Sequence, residues 1–169
     1  MLQMMTLKYC LPQNSEKFQS KLEDILCEIE FIKKGKVKYA NVPSVFDIES
    51  SSFYVGENKQ CCMYAWCFGI NGRCIRGRTW DEFITIINRI VKIYNLSLEK
   101  RFIIYVHNLN FEFQWFKRYF EWEKVFSIDT RKPIYAITKN GIEFRCSYLL
   151  SGYSLKKLGE NLVKYKVEK

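Results

Sequence analysis

Apolar residues recur three and four apart at Phe18, Leu22, Ile25, Leu26, Ile29 and Ile32, a spacing that predicts an amphipathic helix from Asn14 or Ser15 to Lys34. Lys33-Lys34-Gly35 supplies a stop signal, and Lys36 to Pro43 reads as a linker behind a helical extension over 1–40. From Val45 the pattern changes. Val45-Phe46-Asp47-Ile48-Glu49 alternates as a strand does, and the runs 61–70 and 73–78 read as a hairpin across Asn71-Gly72. Thr79, with Glu82 three residues on, makes a capping box for a helix with the buried stripe Phe83, Ile86, Ile87, Ile90, Val91 and Tyr94. Arg101 to Val106 is a continuous apolar run, as in a strand buried on both faces.

A helix over 110–120 follows, then strands near 134–139 and 142–148 joined at Asn140-Gly141, then a helix from Ser154. The expected fold class is α/β, a mixed sheet flanked by helices over 41–169 with the first and fourth of these strands central and adjacent. Ribonuclease-H-like folds are built this way, although a fold by itself assigns no chemistry.

Charge adds a direction. The net charge is +9, and residues 113–169 carry twelve Lys and Arg against six acids, a bias that suits a polyanionic partner. No run approaches the ~20 apolar residues of a membrane span, and the first residues lack a signal peptide's apolar core, so a soluble cytoplasmic protein is expected. Seven cysteines then read as core thiols, since Cys61, Cys62, Cys67 and Cys74 do not form the paired spacing of a zinc site.

Candidate chemistry sits at two places. Asp47 and Glu49, two apart on one strand, leave the same face, and close carboxylates repel unless a cation lies between them or one keeps its proton. Hard Mg²⁺ or Mn²⁺ prefers such oxygen ligands; a rim strand with two solvated acids is the plainer alternative. The segment His107 to Glu112 stands at the carboxyl end of the strand 101–106, where Glu112 in the first helical turn can approach Asp47 and Glu49. Asn108 would cap the helix or bond a ligand, and Phe111 would pack in the core or offer a face to a base. His107 is the only histidine and no serine elbow is present, which argues against nucleophilic hydrolysis.

These segments resemble the 3′→5′ exonuclease domain of protein-primed family B DNA polymerases, the kind carried by small tailed bacteriophages and linear plasmids. Phe46 to Ser50 is similar to the first exonuclease motif, His107 to Glu112 to the second, and Ser154-Leu155-Lys156-Lys157-Leu158 to the element that holds a single-stranded end. The resemblance runs from Val45 to Leu158 and implies that Asp47, Glu49 and Glu112 are catalytic metal-binding acids for two-metal phosphodiester hydrolysis. It further implies that Ser50, Asn108, Phe111, Ser154 and Leu155 contact a single strand of DNA or RNA. Two features depart from the family. Glu112 stands where an Asp is usual, and the third motif is missing, since only Glu160 and Glu168 follow Ser154 as acids. Lys166 or Lys169 would correspond to the family's lysine.

The expectation is therefore an exonuclease-like, single-strand-binding module whose hydrolysis is weak or lost, either a polymerase fragment or a short natural protein. The alternative is a catalytically inactive, phage-encoded anti-defence inhibitor of the anti-CRISPR type, which reuses this fold to bind a host nucleoprotein inside the bacterial cytoplasm. A basic globular protein whose motifs are coincidental is the remaining reading.

Overall fold

The computed structural model describes residues 22–24, 26, 29–130 and 132–162. The described residues form nine strands: β1 (Phe31–Lys34), β2 (Val37–Ala40), β3 (Ser44–Val55), β4 (Asn58–Ile70), β5 (Arg73–Gly77), β6 (Lys100–Val106), β7 (Trp122–Ser127), β8 (Pro133–Thr138) and β9 (Ile142–Cys146). Its helices are α1 (Trp80–Tyr94), α2 (Leu109–Phe116), the single turn α3 (Tyr148–Ser151) and α4 (Leu155–Leu162). The strands make one mixed sheet in the order β5-β4-β3-β6-β9-β8-β7. Parallel pairing joins β6 to β3 and to β9, and the remaining neighbours along that order are antiparallel. The first and fourth strands expected from the sequence, β3 and β6, are adjacent. Among the described residues no helix is long and apolar enough to cross a membrane.

Local chemistry explains the elements that were anticipated. Asn71 and Gly72 both take positive φ, 47° and 74°, as the tight turn between β4 and β5 requires. The capping box of α1 is formed: Thr79 Oγ1 accepts from the Glu82 N–H, and Glu82 Oε2 accepts from the Thr79 N–H at 3.0 Å. Trp66 Nε1 donates to the Thr79 carbonyl at 2.8 Å and so ties the start of α1 to β4. A Cβ on Gly77 would come within 2.1 Å of that indole ring, so only glycine lets β5 pass there.

Both α1 and α2 pack on one face of the sheet. Phe46 of β3 stacks on Phe83 of α1 with centroids 4.1 Å apart, and Phe116 of α2 lies 4.6 Å from Phe144 of β9. These four rings are fully buried, each worth about 1.5–3 kcal/mol in surface removed from water. The odd positions of β3 leave the opposite way, so Val45, Asp47 and Glu49 are all exposed. Asp47 and Glu49 therefore stand on the open face and interrupt no apolar interior.

The chain departs from expectation in four places. Phe31–Lys34, expected as the end of a helix, is a strand, and the supposed linker forms its partner β2, which then pairs in parallel with Lys100 and Arg101 of β6. Gly35 turns this hairpin with φ 63°, so the Lys-Lys-Gly stop signal closes a β-turn. Leu22 and Leu26 are buried in the main core, Glu23 pairs with Arg89, and the Tyr94 hydroxyl donates to the Leu26 carbonyl. The caps expected at Asn14 or Ser15 lie outside the described residues.

β3 and β4 also run on past the sheet as an exposed two-stranded arm from Ser50 to Cys62, turning at Gly56. The helix expected over 110–120 ends at Phe116, and a further strand, β7, follows in a stretch to which the sequence assigned no element. The cysteines differ too. Cys67 and Cys74 are bridged diagonally across the β4–β5 hairpin with Cα atoms 6.6 Å apart, Cys61 and Cys62 are exposed, and Cys146 is a buried thiol. The alternation of β4 places Cys67 beside Asp47 on the open face, away from the core.

Candidate functional site

β6 ends at Val106, level with Phe46 of β3. The chain then turns through His107 and Asn108 into α2, so the first turn of α2 begins beside the stretch of β3 that holds Asp47. Asn108 takes the left-handed conformation this turn needs, φ 63°, and its exposed side chain makes no capping bond to the helix. Glu112 is thereby carried inward and is only 5% exposed, and its Oε2 has no hydrogen-bond partner. Its carboxyl pKa is raised to about 7. Burial is the main cause; its own backbone N–H offsets part of the rise, and the negative charge of Asp47 adds to it.

Asp47 thus lies within electrostatic range of Glu112. Glu49 projects one pleat further along β3, beyond the end of β6, and is exposed. Directly after it the β3–β4 ladder shifts register, leaving Tyr64 of β4 as the extra residue of a bulge. Among the described residues no three of His, Cys, Asp and Glu are grouped to hold a metal ion. The unpartnered Glu112 carboxylate oxygen, within electrostatic range of the Asp47 carboxylate, is the feature of the donor set that would suit a hard cation.

The other anticipated residues surround this pair unevenly. Phe111, 44% exposed, stands edge-on to Trp115 and presents an uncovered ring. Ser50 is half-buried at the root of the arm. The Ser154 hydroxyl accepts from the Lys157 N–H at 3.3 Å and so caps α4, while Leu155 beside it is exposed. His107 is half-buried, 3.3 Å from the Ser147 hydroxyl through Nδ1 and edge-on to Tyr148. Glu160 is exposed on α4; Glu168, Lys166 and Lys169 lie outside the described residues.

One ion-pair cluster was not anticipated. Glu143 of β9, buried, accepts from Arg101 of β6 at 3.1 Å and from Arg145 Nε at 2.7 Å on the open face of the sheet. The alternation Glu143-Phe144-Arg145 was the available signal, because charges flanking a core phenylalanine on a strand must share the opposite face.

No protein-family model matches the chain, and no curated protein matches it.

Proposed function

We propose that this chain is an exonuclease-like module that binds single-stranded nucleic acid, with phosphodiester hydrolysis weak or lost. The observation that carries the reading is the Asp47–Glu112 pair at the end of the β3–β6 parallel pair, with one carboxyl held near pKa 7. Support comes also from the strand order β5-β4-β3-β6-β9 with α1 and α2 on one face, which is compatible with a ribonuclease-H-like fold.

The residues would act in distinct ways. Bound between the two carboxylates, Mg²⁺ or Mn²⁺ would supply positive charge against a phosphate and a more acidic water. Asp47 and Glu112 would hold it, with Glu49 one pleat further along the same strand face. Glu112, half-protonated near neutrality on its own, can hold or release a proton at its carboxyl oxygen. Phe111 offers a ring for a terminal base, and the exposed Asn108 amide can bond the strand. With two firm ligands instead of three or four, positioning of the reacting groups is loose, and a misplacement of about 1 Å costs ~100-fold in rate.

A second reading, an inhibitor that grips a host nucleoprotein, is favoured by the arm. Phe53, Tyr54, Val55 and Tyr64 are each at least 45% exposed there, and Glu57 and Lys59 are the only charges between Ser50 and Tyr64. Such a surface suits a protein better than a phosphate backbone.

The test is a labelled single-stranded oligonucleotide titrated at two salt concentrations, then incubated with Mg²⁺ or Mn²⁺ beside Asp47→Ala. Salt-sensitive binding with slow, Asp47-dependent shortening in Mn²⁺ is the expected result. Absence of binding even at low salt would end the reading and leave the arm's protein partner as the function to pursue.

A further inference from the structure

The open face carries a cleft of about 510 Å³ that the acidic pair does not line. Its size falls within the roughly 300–1,000 Å³ of small-ligand sites. Five strands contribute: Tyr39 from β2, Arg101 and Tyr105 from β6, Arg145 from β9, Tyr135 from β8 and Lys124 from β7. Glu143 forms part of its floor.

Charge in the cleft is unbalanced, with three cations against one acid. Both Glu143 oxygens are already occupied: Oε2 accepts from Arg101 Nη1, and Oε1 accepts from Arg145 Nε and is ion-paired with its Nη2. Arg101 Nε donates to the Leu98 carbonyl at 2.7 Å. Among the described residues Arg101 Nη2, Arg145 Nη1 and Lys124 Nζ have no hydrogen-bond acceptor. Glu143 holds both guanidinium planes in place, so their spare N–H groups are fixed before any ligand arrives. Aromatic faces stand beside them: Arg145 lies over the Tyr39 ring at 5.4 Å, and Lys124 lies 5.8 Å from the Tyr135 centroid.

We propose that this cleft binds a nucleotide phosphate, with the attached base against the tyrosines. Spare fixed donors and net positive charge select the phosphate, and the rings select a flat partner. The phosphate has two possible sources, a free nucleotide or an internal position of a single strand. Arg145 is level with Tyr105 and, through it, with Val45, so Asp47 lies two strands across and two residues along. That is roughly 12 Å at a strand spacing of about 4.8 Å and a rise of about 3.3 Å per residue, near enough for one short strand to occupy both places. The cleft's own chemistry carries the proposal, whether or not the acidic pair acts on nucleic acid.

The test measures binding of dAMP, inorganic phosphate and an eight-residue oligothymidylate to the full chain by calorimetry at low salt with EDTA. Parent, Lys124→Gln and Arg145→Lys are compared. Lys124 is exposed and makes no hydrogen bond, so its variant keeps the parent's urea midpoint and isolates the ligand contact. Dissociation constants about tenfold higher in Lys124→Gln are expected for whichever probe binds, as for loss of one charged hydrogen bond. Arg145→Lys should also bind more weakly although its charge is kept, because the fixed fork is gone. Oligothymidylate binding that depends on Lys124 supports the cleft and identifies a strand as the source. Lys124-dependent dAMP binding without oligothymidylate binding supports the cleft with a free nucleotide and defeats the strand-binding function. Oligothymidylate binding equal in all three proteins overturns the cleft and leaves that function standing. If none of the probes binds, the proposal is overturned.

Discussion

Glu112 lies within electrostatic reach of Asp47 although the two are far apart in the chain, and the aspartate charge adds to the burial that lifts the Glu112 carboxyl to about 7. A folded protein with such a group binds a proton that the unfolded chain has already released. Between pH 4.5, the ordinary value, and about 7 the native state holds more protons, so stability falls as pH rises through that window. Glu112→Gln should flatten this dependence. The expected gain over the parent at pH 8 is about 1–3 kcal/mol, and the two should converge at pH 4. Urea melts at both pH values check it; equal pH slopes in parent and variant would contradict the assignment.

A divalent cation should relieve the same strain. At pH 8, Mn²⁺ at about a hundred times its dissociation constant should raise the thermal midpoint by about 5 °C. Asp47→Asn should remove most of that rise, and Glu49→Gln should remove much less because it is the Asp47 charge that acts on Glu112, Glu49 lying one pleat further along β3. A thermal scan with and without chelator suffices. An effect equal in both variants would place the ion elsewhere.

Phe116 connects the core to the acidic pair, since its ring touches Phe46, Phe120 and Phe144 while Glu112 sits one helical turn before it. Phe116→Ala should cost about 3–5 kcal/mol. It should also loosen α2 enough to expose Glu112, so the pH dependence described above shrinks as well. The variant's urea midpoint at pH 5 and pH 8 reports both effects.

Glu143 is the shared counter-charge of Arg101 and Arg145. Glu143→Ala should destabilise by about 3 kcal/mol, because two partly buried guanidiniums lose their partner. Arg101→Met should cost less than the Glu143 variant, since Arg145 remains on the acid. Denaturant titration of the two single variants gives the order.

The parts legible in the sequence were those with local causes. Thr79 and Glu82 are three residues apart, and Asn71-Gly72 and Asn140-Gly141 turn within their own hairpins, so α1, β4–β5 and β8–β9 could be read directly. Residues 31–40 could not. Ile29 and Ile32 continue a helical spacing, and only the partner β6, about sixty residues away, makes Phe31–Lys34 and Val37–Ala40 a paired hairpin. The same limit applied to the site. Asp47, Glu49 and Glu112 were recognisable as candidate acids, but the exposure of Asp47 and Glu49 follows from α1 and α2 packing on the other face of the sheet, which β3 by itself does not contain. Arg101 and Arg145 were passed over because each reads as an ordinary surface cation until β6 and β9 pair in register.

The parallel pairing of β6 with both β3 and β9 has a kinetic consequence. Hairpins such as β4–β5 and β8–β9 close within microseconds, whereas joining Phe46 to Val106 closes a loop of about sixty residues. The central strand is therefore expected to find its neighbours after the hairpins have closed, so contacts that depend on it, those of Glu112 included, should form late. Ionising Glu112 then leaves the refolding rate nearly constant and speeds unfolding, as contacts absent from the transition state do. Between pH 5 and pH 8 the pH sensitivity of this protein should appear in how long it stays folded, with little change in how quickly it gets there.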